Sequence, residues 1–212
     1  MRLGTYYRSQ FLKHLNLQAT HPYVLDVGAF DGYWLSTQKA RHKYALDIHI
    51  DPRYKNIHYI QHSALHIPLP ANKFNRVYAF DVLEHITKDN EKQFLKELLR
   101  VCKCKGHVIL TTPSKNIRLF PPFLTSYISH KWGHAKCLGY SRQELATLLS
   151  IYDYHIQDHN APLFRLTYLI TRILWIYLPR FTRKLISFIA YYDSHHTHGS
   201  HGYYLIDITK HA

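Results

Sequence analysis

The sequence predicts an α/β protein with a Rossmann-like, doubly wound sheet of seven strands. Short apolar runs alternate with amphipathic helical patterns along the 212 residues, which is typical of parallel strands joined by crossover helices. The chain is 46% hydrophobic and 19% charged, a globular composition. No repeat or low-complexity linker divides it, so we expect a single domain over residues 1–212.

The individual elements follow from the apolar pattern. Strands are predicted at residues 23–27, 43–48, 57–60, 76–80, 107–111, 154–158 and 203–209. Helices are predicted at residues 34–40, at 89–101, and from a capping box at 141–144 through Leu149. Gly106 is predicted to end the second of these helices in a left-handed conformation. The last two strands lack a long crossover, so we expect an antiparallel pair at one sheet edge.

Cysteine usage and the first residues indicate the compartment. The chain has only three cysteines, which argues against a disulfide framework and for reducing surroundings. Residues 1–20 are polar and aromatic and lack the apolar core of a signal peptide. We therefore expect a cytoplasmic protein, with association at a membrane surface as the alternative.

The net charge of +13 is unevenly distributed. No acid lies between Glu97 and Glu144, where eight basic residues occur, and none lies between Asp158 and Asp193, where five occur. Such a field attracts anions, which include phosphorylated substrates, nucleic acid and acidic membranes. A solvated basic surface without a partner is the competing interpretation.

The turn after the first strand is the most informative stretch. The strand delivers Asp26 and Gly28 to the carboxyl edge of the sheet, where open parallel sheets bind ligands, and Gly32 follows. The intervening residues are Ala29, Phe30 and Asp31. A dinucleotide site needs more glycines, because pyrophosphate lies against bare backbone, and Asp31 would repel it. The turn favours a nucleoside without pyrophosphate, such as a cationic sulfonium.

Asp47 ends the second predicted strand. A carboxylate there can accept hydrogen bonds from both hydroxyls of a ribose. Taken singly, Asp26 is explained as a turn-stabilising acid and Asp47 as a solvated strand-end acid. Their combination after two apolar strands favours a nucleoside site.

With these residues, the chain resembles the class I S-adenosylmethionine-dependent methyltransferases over residues 23–160 and the last strand. The motifs are Val24-Leu-Asp-Val-Gly28 with Gly32, Leu46-Asp47, Ser63-Ala64 with Ile67-Pro68, Phe74-Asn-Arg-Val77, Phe80-Asp-Val-Leu-Glu-His85, and Leu98-Leu-Arg-Val101 before residues 106–113. The run at 81–86 looks like the branch that methylates small molecules, quinone or lipid precursors and sugars. The resemblance implies S-adenosylmethionine as cofactor and the strand order 3-2-1-4-5-7-6, with the last strand antiparallel.

The resemblance also implies the cofactor contacts. Asp26 would hold the turn, Asp47 would bind the ribose and Ile48 would pack on the adenine. The methionine half would be lined by Gly28, Ala29, Phe30 and Gly32. The remaining contacts would come from Ser63 and Ala64 at the adenine edge, from Phe80 and Asp81 on the methionyl side, and from His85 near the mouth. Relatives often have Asp where Ser63 stands, and serine accepts more weakly, so we expect modest affinity.

Histidines are the candidates for a general base. Methyl transfer depends mostly on alignment, and a base is needed only if the acceptor must lose a proton. His85, His130 and His134 could serve, because imidazole titrates near neutral pH. The chain has 18 histidines, so a packing or polar role competes for each of them. We expect no functional metal at the half-site of His130, His134 and Cys137, or in the histidine run at 195–201.

Residues 163–192 form a basic, apolar insertion between the last two strands. Residues 163–178 fall short of the about 20 residues of a membrane span. A second helix follows Pro179, with Phe181, Leu185, Phe188, Ile189 and Tyr192 predicted on one side. Three interpretations compete: a cover packed on its own domain, a lid over a hydrophobic or lipid-linked substrate, and in-plane attachment to an anionic membrane.

The leading functional hypothesis is methylation of a small-molecule acceptor that is anionic or lipid-linked. The basic, aromatic loop at 115–142 follows the fifth strand on the ligand side and could bind such an acceptor. Nucleic-acid methylation is disfavoured, because Asp81-Val-Leu-Glu84 stands where base-amine methyltransferases usually have Asn/Asp-Pro-Pro-Tyr. A non-catalytic binding protein and a dehydrogenase are further alternatives. No motif indicates the methylated atom or the oligomeric state.

Overall fold

The computed structural model describes residues 3–15, 20–117, 139–195 and 202–211. Its strands are β1 (His21–Val27), β2 (Ala40–Asp47), β3 (His58–Gln61), β4 (Phe74–Phe80), β5 (Cys102–Pro113), β6 (Asp153–His159) and β7 (Tyr203–Thr209). Its α-helices are α1 (Leu3–His14), α2 (Tyr33–Ser36), α3 (Glu91–Val101), α4 (Arg142–Leu149), α5 (Pro162–Tyr177) and α6 (Pro179–Ser194). Short 3-10 helices lie at Leu83–His85 and Lys88–Asn90.

The strands form one mixed sheet in the order β3-β2-β1-β4-β5-β7-β6, which confirms the predicted order. Strands β1 to β5 are parallel, and β7 runs antiparallel to both β5 and β6. His159 at the end of β6 pairs with Tyr203 at the start of β7. Beside this pair, a Cβ on Gly202 would lie 2.1 Å from the His159 carbonyl oxygen. The insertion therefore leaves and re-enters the sheet at one place.

Alternating side chains divide the interior into two cores, one on each face of the sheet. The first core joins inward residues of the strands to α3 and α4, and includes Leu25, Val27, Val77, Leu110, Phe94, Leu98 and Leu145. The second joins the opposite strand residues to α1, α2, α5 and α6, and includes Val24, Tyr78, Phe80, Ile109, Tyr7, Trp34, Phe164 and Ile186. The result is a three-layered domain with the ligand edge at the carboxyl ends of the parallel strands.

The helix predicted at residues 34–40 is wrong in extent. Helix α2 ends at Ser36, and β2 already begins at Ala40. The Ser36 hydroxyl donates to the Tyr33 carbonyl at 2.7 Å, and the Thr37 hydroxyl donates to the Trp34 carbonyl at 2.8 Å. Hydroxyls that bind backbone carbonyls in this way compete with continued helical bonding, so the helix stops after one turn.

The predicted helix end at Gly106 is also wrong. Helix α3 ends at Val101, and Cys102 is already extended at the start of β5. The pairing of β4 with β5 shifts register between Phe74 and Arg76, and Lys105 has a φ of 60°, which together mark a bulge. A Cβ on Gly106 would lie 2.7 Å from the Cys102 Sγ, so this glycine serves close packing within a bulged strand.

Helix α1 lies where the sequence predicts no element. The Tyr7 hydroxyl donates to Asp193 Oδ2 on α6 at 2.8 Å, and the Tyr7 ring stacks on Phe164 of α5 at a centroid distance of 3.7 Å. Leu3 and Phe11 are buried on the same side. Residues near the start of the chain therefore help to cover the second core.

The inner face of α6 differs from the predicted apolar side. Phe181 and Phe188 are exposed, whereas Thr182, Ile186, Ile189, Ala190 and Asp193 are buried. Asp193 accepts from the backbone N–H groups of Leu163 at 2.9 Å and Phe164 at 3.0 Å, and so caps the start of α5. Because Asp193 must face inward, the buried face rotates away from the two phenylalanines. Within the ranges described, no helix is long and apolar enough to cross a membrane.

Candidate active site

The turn between β1 and α2 is held by glycine at two positions. Gly28 has a φ of 79° and Gly32 a φ of 75°, in the left-handed region that favours glycine. A Cβ on Gly28 would lie 2.3 Å from Val82 Cγ2 in the loop after β4, and the Gly28 N–H donates to the Leu46 carbonyl at 2.8 Å. The turn is therefore wedged between the end of β2 and the loop after β4.

Asp47 lies directly beside this turn, as the sequence predicts. Its Oδ2 accepts from the Phe30 N–H at 2.9 Å, and its Oδ1 accepts from the His49 N–H at 3.0 Å. Each carboxylate oxygen has further acceptor capacity, because it carries two lone-pair directions. Phe30 and Ile48 flank Asp47 with 39% and 59% of their surface exposed. The edge thus combines an acceptor for hydroxyl groups with apolar surface for a flat ring.

Two further acids lie under the turn. Asp26 is buried, and its burial, reinforced by the charges of Asp47 and Asp31 and opposed by Arg8, raises its pKa to about 8. Asp31 is also buried, and its Oδ1 accepts from the Tyr33 N–H at 3.0 Å where α2 begins. Asp31 disfavours a phosphate and favours a cationic group, whereas Asp26, with its raised pKa, is largely protonated near neutral pH and adds little negative charge.

Ser63 and Ala64 follow β3 at the same edge. The His62 N–H donates to the Asp47 carbonyl at 3.0 Å, which joins this segment to the end of β2. The Ser63 hydroxyl accepts from the Leu65 N–H at 3.2 Å, and Ala64 packs against the first core. The structure therefore brings the predicted adenine-edge residues next to the predicted ribose residue.

Phe80 and Asp81 end β4 on the other side of the turn. Phe80 is buried, with the Trp34 ring edge-on at 5.3 Å. Asp81 has a φ of 52°, and its Oδ1 accepts from the Thr111 hydroxyl at 2.8 Å. Its other oxygen forms an ion pair with Arg8 of α1. The carboxyl ends of β1, β2, β3 and β4 thus converge on one site.

Arg8 is a site residue that the sequence reasoning missed. Burial lowers its pKa, but the ion pair with Asp81 and the charges of Asp26 and Glu84 outweigh burial, so its pKa is raised. It places a permanent cation among acids at the methionyl side of the site. The available signal was the spacing of Leu3, Tyr7 and Phe11, which recur at i, i+4 and i+8 as on one face of a helix.

The histidine candidates are placed unequally. His85 ends a 3-10 helix in the loop after β4 and is exposed, whereas His130 and His134 lie outside the described residues, as do Cys137 and most of the loop at 115–142. The preceding residue, Glu84, is buried, and burial together with Asp81 raises its pKa well above the ordinary value. Across the described ranges, no cluster of three or more His, Cys, Asp or Glu side chains is arranged to hold a metal ion.

A small recess lies beside the Arg8–Asp81 ion pair, and the sequence did not predict it. Its lining includes Tyr7, Arg8, Phe11, Thr111, His159 and Tyr203. His159 is buried, its two ring nitrogens have no hydrogen-bond partner among the described residues, and burial lowers its pKa to about 4. The accessible lining of the recess is apolar, although His159 and Arg8 are among the residues that surround it.

Comparisons with known proteins agree with this geometry. Residues 17–110 match the family model described as a methyltransferase domain, and no curated protein matches the chain. Phosphoethanolamine N-methyltransferase 2 of Haemonchus contortus, in complex with phosphomonomethylethanolamine and S-adenosylhomocysteine, superposes with a TM-score of 0.67 at 13% identity. That comparison covers 96% of this chain and 52% of the other, so the chain spans about half the length of that enzyme.

Two further structures have the same fold. A S-adenosylmethionine-dependent methyltransferase from Thermotoga maritima has a TM-score of 0.65 at 14% identity, over 96% of this chain and 88% of the other. The [4+2]-cyclase SpnF has a TM-score of 0.56 at 16% identity, over 97% of this chain and 82% of the cyclase. These likenesses establish the fold. Over residues 17–110 the chain is thus similar to a methyltransferase domain, and its seven-stranded sheet has the Rossmann-like strand order of the structures it resembles.

Proposed function

We propose that the protein transfers a methyl group from S-adenosylmethionine to a small-molecule acceptor that is anionic or lipid-linked. When bound, S-adenosylmethionine supplies an activated methyl group on a sulfonium, so the chain's task is to bind and align the two reactants. Asp47 would hold the ribose, Ile48 would pack on the adenine, and residues 28–32 would line the methionine half.

The observation that carries this proposal is the composition of the edge around Asp47. Its two oxygens are already oriented by the Phe30 and His49 N–H groups, so the carboxylate is fixed before any ligand binds. The exposed Phe30 ring and the exposed Ile48 side chain lie on either side of Asp47. An oriented carboxylate between apolar surfaces suits a nucleoside, and the nearby Asp31 suits its cationic tail.

Arg8, which is partly exposed beside Asp81, supports an anionic acceptor. Arg8 already forms an ion pair with Asp81. Because a guanidinium has five N–H donors, Arg8 can bind a carboxylate or phosphate in addition to Asp81. The structure of the Haemonchus contortus enzyme, which holds phosphomonomethylethanolamine, gives a precedent for a phosphorylated acceptor in this fold.

Calorimetry tests the cofactor. S-adenosylmethionine and S-adenosylhomocysteine should bind the full chain, and NAD should not. Replacing Asp47 with alanine should weaken binding of both ligands about tenfold or more, because a charge-assisted hydrogen bond contributes about 1.5–3 kcal/mol. Asp89→Asn, which removes an exposed acid elsewhere on the surface, is the matched control and should leave binding unchanged. Binding of NAD alone would overturn the proposal.

Radiolabelled methyl transfer tests the reaction and the acceptor. The rate of transfer is compared between acceptors that differ only in an anionic group, such as phosphoethanolamine and ethanolamine. Transfer to the anionic member should be faster. The measurement matters because SpnF, a cyclase, shares this fold. Equal transfer to both members would refute the anionic acceptor, and tight cofactor binding without transfer to any acceptor in a broad panel would refute the reaction.

A further inference from the structure

We infer that the outer face of the α5–α6 hairpin is a docking surface for an anionic membrane, on which it lies in the plane of the lipid headgroups. The inference goes beyond the proposed reaction and does not depend on it. It stands on three observations, which are an apolar stripe facing solvent, aromatic residues around the helix junction, and basic residues without acids.

The apolar stripe runs along the solvent side of α5. Its members recur at three- and four-residue intervals, which places them on one helix face. They are Leu166, Leu169, Ile170, Ile173 and Ile176, with 52% to 82% of their surface exposed. The opposite side of α5 is buried through Phe164, Tyr168 and Thr171. Helix α5 thus has apolar residues on both faces, and only one face is used within the chain.

The junction of the two helices and the outer side of α6 extend this surface. Tyr177 and Leu178 at the junction are exposed, and so are Phe181, Phe188 and Tyr191 on α6. A contiguous exposed patch of this extent marks an interaction site more often than a bare surface. Tyrosines suit a membrane interface, because the ring is apolar and the hydroxyl stays with the headgroups.

The charge of the hairpin is of one sign. No acid occurs between Asp158 and Asp193, and the exposed basic residues of the hairpin are Arg172, Arg180, Arg183 and Lys184. Asp193 itself is buried and bound by backbone N–H groups and by Tyr7. Among the acids that the structure describes, none forms an ion pair with these four cations. Their field is therefore available to phosphate-bearing lipids.

Charge decides between a membrane and a second copy of this chain. Two copies that paired these faces would bring eight exposed cations into one interface, and like charges across an interface cost several kcal/mol. An anionic bilayer satisfies both features at once, since the acyl boundary accepts the apolar stripe and the headgroups accept the cations. Neither helix spans a bilayer, so the arrangement is in-plane rather than transmembrane.

Flotation with vesicles tests the inference on the full chain. The protein should float with vesicles of phosphatidylcholine and phosphatidylglycerol in equal parts, and much less with phosphatidylcholine alone. Arg180→Gln with Arg183→Gln should weaken partitioning roughly 30-fold, because each basic residue near the surface contributes about 1 kcal/mol. Leu169→Ser with Ile173→Ser should weaken it at least about tenfold, because exposed apolar side chains are lost from the acyl boundary.

Matched controls lie outside the hairpin. Lys92→Gln with Lys96→Gln removes two exposed charges from α3, and Ile151→Ser removes an exposed apolar residue that follows α4. Both variants should float like the unchanged protein. The inference would be overturned if the protein floats with neither vesicle, or if Arg180→Gln with Arg183→Gln floats as well as the unchanged protein. Sedimentation velocity tests whether the face binds a second copy of the chain. If the protein does not float and forms a dimer that Ile173→Ser dissociates, the face binds a second copy instead of a membrane.

Discussion

Helices α3 and α5 cover opposite faces of one sheet but distribute their apolar side chains in opposite ways. On α3, Phe94, Leu95, Leu98 and Val101 are buried, and the lysines at 92 and 96 face solvent. On α5, a narrow inner face is buried, and a broader stripe that includes Ile173 is exposed. Folding alone accounts for the pattern of α3, whereas the outer stripe of α5 contributes nothing to the interior.

The contrast separates two uses of hydrophobic residues in one domain. Substitutions on the face of α3 and on the inner face of α5 test the stability of the fold. Substitutions on the outer face of α5 test binding to a partner and should leave stability nearly intact. Four measurements of stability test this difference between the two kinds of surface.

The largest effect is expected at Leu98, on the buried face of α3. Leu98→Ala should lower the free energy of unfolding by about 2–5 kcal/mol, because it removes buried methyl groups and leaves a cavity. Denaturation in urea measures the change. A loss below about 1 kcal/mol would show that the first core is loosely packed and that the contrast with α5 is overstated.

The next effect concerns Asp193, which ties α1 and α5 to α6. Asp193→Ala removes the acceptor of the Leu163 and Phe164 N–H groups and of the Tyr7 hydroxyl, and should cost about 2–3 kcal/mol. Asp193→Asn keeps one acceptor oxygen and should cost less. If both variants unfold at the same urea concentration as the unchanged protein, Asp193 does not hold the hairpin to the second core.

Asp26 provides a pH-dependent test beneath the second core. Its pKa is raised from 3.8 to about 8, so between these values the folded chain holds a proton that the unfolded chain has lost. Stability should therefore fall progressively as pH rises through this window. Asp26→Asn should remove this pH dependence. The thermal midpoint of the variant relative to that of the unchanged protein should therefore rise from pH 4 to pH 8. A constant difference across pH would contradict the raised pKa.

The smallest effect is expected at Ile173. Ile173→Ser should change the free energy of unfolding by less than about 0.5 kcal/mol, because the side chain is already solvated. Ile186→Ser, on the buried face of α6, is the counterpart and should cost several times more. A loss above about 1 kcal/mol at Ile173 would mean that another part of the chain covers the stripe.

Much of the fold is predictable from the sequence because its signals are local. The predicted bounds of β7 match the structure, and the capping box opens α4 as expected, since Ser141 and Glu144 bond each other's backbone. The positions of Asp26, Gly28 and Asp47 also follow, because a parallel sheet brings the carboxyl ends of neighbouring strands together.

The misses depend on contacts between distant residues. Helix α1 has a weak apolar pattern, and it is fixed by Tyr7 reaching α5 and α6 rather than by its own periodicity. Arg8 enters the site only because α1 lies there, so no motif near the turn could reveal it. The rotation of α6 follows from the inward position of Asp193, which caps a helix thirty residues earlier. Such pairings are tertiary and leave no periodic signature.

The pairing of His159 with Tyr203 has a consequence for the architecture of the chain. It makes residues 160–202 the connection of an enlarged β-hairpin, which leaves the sheet at the same edge as the carboxyl end of β5. The entropy of closing a loop grows only slowly with its length, so such a loop can gain, lose or exchange helices while the register of β6 and β7 stays the same. The outer surface of the α5–α6 hairpin can thus diverge between related chains, whereas its inner face is constrained by its contacts with α1, which carries Arg8.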